Sequence, residues 1–112
     1  MSQEISKNTE QCRIEKLEAM LVQQPHDCFL LHALGLEYSK TGNDTKALDF
    51  FKQVLVVDEN YVGTYYHLAK LYERLGQENE AMNIYQQGVT IATRLKDMHA
   101  RNELLMAMDE LE

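Results

Sequence analysis

Cationic side chains are in deficit: eleven Lys and Arg stand against eighteen Asp and Glu, a formal charge of −7. Binding to DNA or RNA rests on neutralising phosphates and releasing their counterions, so no nucleic-acid partner is expected. Long apolar runs are also missing. The longest, Leu104 to Met108, falls far short of the roughly 20 residues a helix needs to cross a bilayer, so no membrane partner is expected. Met1-Ser2-Gln3-Glu4 carries neither the basic nor the apolar stretch of a secretory signal, which makes the cytoplasm the expected location. Two cysteines, Cys12 and Cys28, are too few for a disulfide framework; in a reducing compartment they read as small buried thiols. A single Pro, five Gly and no sustained Val/Ile/Thr alternation leave little for strands and favour helices joined by short turns. The class that remains is all-α. With 112 residues, 26% charged and 45% hydrophobic, the chain has the length of one domain and the balance of a folding sequence.

Motifs for chemistry are absent as well. No G-x-S-x-G, P-loop, H-E-x-x-H or C-x2-C occurs, so nothing assembles a nucleophile, a base and an oxyanion donor, and no enzyme and no cofactor are expected. The best metal candidate is His26, Cys28 and His32, the last two sharing a helix face four residues apart. A fourth ligand and a spacing signature are missing, so the plainer reading is a packed thiol beside partly exposed imidazoles, with no metal. His67 and His99 are more scattered.

Punctuation falls at Pro25-His26-Asp27, Thr41-Gly42-Asn43-Asp44, Asp58-Glu59-Asn60, Gly76-Gln77-Glu78 and Leu95-Lys96-Asp97. Helix stops there meet N-cap candidates Asp27, Asp44, Asn60 and Asp97, with Asn79 standing late at the fourth break. Six helices follow, at nearly equal intervals. Shifting the chain by 34 residues superposes Leu34 on Leu68, Tyr38 on Tyr72, Gly42 on Gly76, Ala47 on Ala81 and Gln53 on Gln87. The same shift keeps size or charge for Leu31 and Tyr65, Gly35 and Ala69, Lys40 and Arg74, Leu48 and Met82, Phe51 and Tyr85, Leu55 and Val89, Val57 and Ile91. Small Gly35 and Ala69 admit a second helix, Ala47 and Ala81 are the small partners on that helix, and the large aromatics fill the surrounding space. Helices joined by so short a turn must run antiparallel.

Leu31-x2-Leu34-Gly35-x2-Tyr38 with Ala47-x3-Phe51, and Tyr65-x2-Leu68-Ala69-x2-Tyr72 with Ala81-x3-Tyr85, resemble the tetratricopeptide repeat, whose period is 34. Leu31 and Tyr65 replace the family's usual Trp, Gly88 stands at an Ala position, and Glu59 and Thr93 replace the closing Pro. The resemblance implies a right-handed superhelical stack of antiparallel helix hairpins, with repeats at 28–61 and 62–95. One period earlier, Leu17 takes the Phe position and Pro25 the closing-Pro position, so 9–24 reads as the second helix of an incomplete repeat, with apolar Ile14, Leu17, Met20 and Leu21. Residues 97–111 carry Met98, Leu105 and Met108, with Leu104 and Leu111 beside them, and read as a C-terminal capping helix; 1–8 is left as a tail. The whole is similar to the short, stand-alone bacterial tetratricopeptide proteins.

Stacked hairpins bury one stripe of each first helix and turn another toward the inside of the curve. At about 100° per residue, Phe29, His32, Leu36 and Ser39 sit roughly 130° round from the buried stripe of the first repeat. The second repeat contributes Gly63, Tyr66, Lys70 and Glu73, Arg74 lies beside them, and Leu104 of the capping helix is expected to join. Apolar Phe29, Leu36 and Tyr66 beside His32, Lys70 and Arg74 suit a peptide or helix with apolar anchors and a carboxylate. Taken singly, each reads equally well as an ordinary surface residue on a short spacer. The family's carboxylate clamp is absent, because His32 and Leu36 stand at its Lys and Asn positions and Lys70 at its next Asn. Met98, Met106 and Met108 recur at helical spacing and read chiefly as core or cap, with an adaptable binding face as the other reading. Five of six Tyr lie between Tyr61 and Tyr85, and only Tyr61 and Tyr66 of these fall outside core register; the acidic Asp109-Glu110-Leu111-Glu112 reads as a solvated end. The expected function is a non-catalytic module binding a protein or peptide in the concave groove. The alternative is a structural self-assembly unit, a homodimer whose groove is filled by a second copy, since at least three repeats are typically needed for a stable stack.

Overall fold

Two glycines set the hairpin turns. Gly42 and Gly76 adopt φ of +85° and +79°, a left-handed conformation that costs residues with a Cβ roughly 1–2 kcal/mol. The next amide then closes back on the helix: Asn43 N–H donates to the Tyr38 carbonyl and Gln77 N–H to the Tyr72 carbonyl, both at 2.9 Å, satisfying carbonyls that the helix end would leave orphaned. A third turn repeats this closure without glycine. Lys96 takes φ +63°, and Asp97 N–H donates to the Ala92 carbonyl at 2.9 Å.

The computed structural model describes residues 9–112, and the expected tail 1–8 lies outside them. Six helices follow one another: α1 (Thr9–Gln23), α2 (Cys28–Lys40), α3 (Asp44–Val57), α4 (Gly63–Arg74), α5 (Glu78–Arg94) and α6 (Met98–Leu111). Among the described residues there is no strand. Asp27 and Asp97 cap α2 and α6, accepting from the amides of Leu30 and Ala100. Three expected caps are corrected. Asn43, not Asp44, caps α3, accepting from Lys46 N–H; Asp44 is already helical, where its charge suits the helix N-terminus. The α4 cap position is Val62 rather than Asn60, because Tyr61 N–H turns back to the Asp58 carbonyl and delays the helix. Helix α5 begins at Glu78 behind Gln77, which leaves Asn79 inside its first turn.

Each helix packs on its sequence neighbours, and α2 also meets α4 while α4 meets α6. Alternate helices therefore form one layer of a stack. Its extents are 52 × 29 × 20 Å and its radius of gyration 15.4 Å, against about 13 Å for a spherical domain of this length. One core runs through it: Leu34, Phe51, Leu68, Tyr85 and Leu104 are all at most 1% exposed. Close approach needs small residues at the crossings. A Cβ on Gly35 would stand 2.5 Å from the Phe51 ring, and one on Gly88 would stand 2.7 Å from Tyr65 Cβ and 2.9 Å from Leu104 Cδ1. Gly88, the departure from the expected Ala, is thus the point where α4, α5 and α6 meet.

At the ends, Ile14 is buried and Leu17 and Leu21 half-buried, but Met20 is half exposed rather than part of the apolar face. In α6 the buried residues are Leu104 and Ala107, with Met108 and Leu111 packed against the core. Leu104 does not join the inner face as expected, because it fills the notch at Gly88. Met98 and Met106 remain exposed.

Candidate binding groove

Helices α2 and α4 lie side by side in one layer, and the crevice between them encloses about 420 Å3. Its apolar lining is Leu36 of α2, Phe51 of α3 and Leu71 of α4, with His67 beside them; Glu37, Ser39, Lys40, Lys70 and Arg74 line the rest. Volume and apolar floor fall in the range of sites that accept a side chain or small ligand. Three cations against one carboxylate, Glu37, on its lining contrast with a chain of net charge −7.

Each cation leans on a carboxylate without being buried by it. Lys40 Nζ is 3.7 Å from Glu37 Oε2, and Lys70 Nζ is 3.8 Å from Glu73 Oε2 and 5.7 Å from the centroid of the Tyr66 ring. The Arg74 guanidinium donates to Asp44 and, at 3.1 Å, to Ser39 Oγ, tying α4 to the first hairpin. The cation ends of these pairs are 37–54% exposed, so solvent screens them and leaves them open to a partner's carboxylate. Glu37 also accepts from Arg13 Nε at 3.0 Å, yet its Oε1 is buried without a hydrogen-bond donor. A buried lone acceptor costs about 1–3 kcal/mol, and here it belongs to a wall of the crevice.

Of the eight expected groove residues, the crevice brings together Leu36, Ser39, Lys70 and Arg74. Glu73 is diverted: it accepts from the Tyr85 hydroxyl, so its carboxylate is committed to α5. His32 is half-buried between the hairpins, its Nδ1 2.7 Å from Thr64 Oγ1, with ring centroids of Phe51, Tyr61 and His67 5.5–5.7 Å away. Burial, and then the neighbouring His67, lower its pKa to about 4. Phe29 is 65% exposed at the start of α2 and does not line the crevice. Tyr66 faces a second, smaller hollow of about 150 Å3 that it shares with Glu103, Met106, Ala107 and Glu110 of α6.

The crevice holds residues that the sequence left aside. Lys40 was legible, because the 34-residue register pairs it with Arg74. His67 had no such signal, its register mate being Ala33; burial lowers its pKa, opposed by the charge of Glu103. The metal candidates do not converge. Cys28 Sγ is 3.8 Å from the Val54 carbonyl, His26 is exposed, His32 is held by Thr64, and no set of three ligating side chains forms among the described residues. Cys12 and Cys28 are free thiols, Cys12 exposed rather than buried. Among the described residues no helix is long and apolar enough to cross a membrane.

Comparison with known proteins agrees with the fold. Residues 30–61 and 62–94 each match the tetratricopeptide repeat. The solution structure of a tetratricopeptide repeat domain protein from Salinibacter ruber is 40% identical, with a TM-score of 0.75 over 79% of this chain and 89% of that one. A protein from Bordetella parapertussis is 26% identical, with a TM-score of 0.77 over 88% and 85% of the two chains. An uncharacterised protein of Pyropia yezoensis, ycf37, is 29% identical over 76 residues, and the chain spans 43% of the length of that curated relative. Two matched repeats, six helices in hairpin register and these neighbours place the chain in the tetratricopeptide repeat family, a right-handed superhelical stack that points to protein–protein interaction.

Proposed function

We propose that this chain is a non-catalytic binding module that takes an apolar, acidic peptide or helix in the crevice between α2 and α4. The observation that carries this is the union of an apolar floor, Leu36, Phe51 and Leu71, with three cations, Lys40, Lys70 and Arg74, in an otherwise acidic protein. An aliphatic anchor entering the crevice sheds water from its own surface and from the half-buried Leu36, at about 25 cal/mol per Å2 of apolar area, and packs over the buried Phe51 and Leu71. Carboxylates beside that anchor meet cations whose present partners are weak, which sets register and orientation. The ordering of Leu36, Ser39, Lys70 and Arg74 along two rigid helices preorganises the surface. The free thiols of Cys12 and Cys28 fit a reducing compartment such as the cytoplasm, and the acidic surface away from the crevice disfavours nucleic acid.

Selection from a random peptide library tests the reading. Enriched sequences should share a Leu, Ile or Met with Asp or Glu within about four residues, and enrichment should fall at least tenfold on Lys70→Glu or Leu36→Ser. No consensus, or one indifferent to both substitutions, overturns it.

A further inference from the structure

The inner face of the stack has two halves of opposite sign. Lys40, Lys70 and Arg74 surround the crevice between α2 and α4. One helix further on, Glu103 and Glu110 flank Met106 beside Tyr66. The halves are contiguous, since Lys70 Nζ lies over the Tyr66 ring that faces the acidic hollow. A surface that carries a feature and its complement side by side is self-complementary under a two-fold axis, the condition for an isologous contact.

The acidic half also has the form of a ligand for the basic half. Glu103, Met106 and Glu110 stand at i, i+3 and i+7 of α6, one stripe of a helix with an apolar anchor between two carboxylates. Met106 is 65% exposed, whereas Leu104 and Ala107 are the residues that bind α6 to the core. Nothing in the packing of α6 therefore accounts for an apolar side chain at that position. An unbranched Met fits irregular apolar space, and the crevice floor of Leu36, Phe51 and Leu71 is such a space. In α6 and the residue after it, Arg101 is the single full cation against Glu103, Asp109, Glu110 and Glu112, so the helix as a whole suits the cationic rim.

We infer that the occupant of the crevice is α6 of a second copy of this chain: Met106 inserts over Leu36 and Leu71 while Glu103 and Glu110 meet Lys40, Lys70 and Arg74, and the two-fold repeats the contact in the other direction. This rests on the reading of the crevice as a binding groove and names what fills it. Each molecule is at once groove and ligand. The pairing extends a two-repeat stack with a further helix on its inner face, adding the burial that so short a stack has little of.

Sedimentation velocity on three proteins, each checked for native helicity by circular dichroism, tests the inference. Wild type should shift from monomer to dimer mass as its concentration is raised to about 1 mM. Lys40→Glu with Lys70→Glu, and separately Glu103→Lys with Glu110→Lys, should each raise the dissociation constant about a hundredfold, the scale of a broken set of interfacial charge pairs. Mixed one to one, the two variants should dimerise again, because the reversed groove of one faces the reversed helix of the other. A wild type that stays monomeric, a dimer untouched by either variant, or variants that fail to complement overturns the inference. The peptide selection is an independent readout: a peptide consensus with a monomeric wild type removes the second copy and leaves the groove, while complementing variants without a peptide consensus overturn the peptide reading and leave the second copy as the occupant of the crevice.

Discussion

Gly88 and Tyr65 touch backbone to side-chain root: a Cβ on Gly88 would stand 2.7 Å from Tyr65 Cβ. Tyr65 is 3% exposed and its hydroxyl donates to the Glu59 carbonyl at 2.7 Å, so neither end of the side chain is free to move aside. Helix propensity alone favours Ala over Gly by about 1 kcal/mol in a helix interior. The clash, shared with Leu104, outweighs it at about 1–3 kcal/mol for an overpacked core. Gly88→Ala should lower the urea midpoint with an unchanged m-value, and a midpoint that rises would show that α6 swings clear.

The third turn is strained where the first two are not. Lys96 holds φ +63° where Gly42 and Gly76 hold +85° and +79°, at a cost of roughly 1–2 kcal/mol for a residue with a Cβ. Lys96→Gly should therefore stabilise the fold by about 0.5–1 kcal/mol once the added freedom of the unfolded chain is subtracted. Gly76→Ala should destabilise it by about 1 kcal/mol for the same reason in reverse. Opposite shifts in thermal midpoint check both, and equal signs would refute the account of these turns.

The contrast explains how far the chain was legible before any coordinates. Identity at Gly42 and Gly76 and at Ala47 and Ala81 carried the fold, because left-handed turns and close helix crossings admit few residue types. The break at Leu95-Lys96-Asp97 was marked by its cap Asp97 alone, because Lys96 takes the left-handed geometry without the glycine that advertises it. Asn60 misled because its side chain accepts from Arg94 and its own amide is bonded by Asp58, which leaves it to a turn before α4. The groove was half legible for a related reason. Angular position gives the direction of Cβ, and Leu36 and Ser39 line the crevice, but a long side chain ends where its charge finds a partner. Glu73 ends at Tyr85 and Arg74 at Asp44 and Ser39, neither of which face geometry foresees.

Tyr85 is fully buried and its hydroxyl donates to Glu73; burial, and then the hydrogen bond and charge of Glu73, push the phenol's pKa up. Removing the hydroxyl leaves the carboxylate with Lys70 as its one remaining partner on α4. Tyr85→Phe should cost about 1.5–3 kcal/mol, the range for a hydrogen bond to a charged group. Chemical denaturation measures it, and a loss under about 0.5 kcal/mol would mean that Glu73 is solvated instead.

His32 makes the joint between the hairpins sensitive to acid. Its pKa of about 4 lies below the ordinary value of 6.5 because burial, and then His67, disfavour the imidazolium. The unfolded chain accordingly takes up this proton from about pH 6.5 downward while the native chain does not until about pH 4. Stability from this group is thus complete above pH 6.5 and drains away as the pH falls through that window. Partial exposure screens the effect, so about 2 kcal/mol is the loss expected between pH 7 and pH 4. Carboxylates lose native partners in part of the same range, so the test is a difference. Wild type and His32→Gln, unfolded in urea at pH 7.5, 6, 5 and 4.5, should converge as the pH drops, because Gln retains a hydrogen bond to Thr64 and cannot take the proton. Parallel curves would mean that the imidazole titrates alike in the folded and unfolded chains and that the His32–Thr64 contact is open to water.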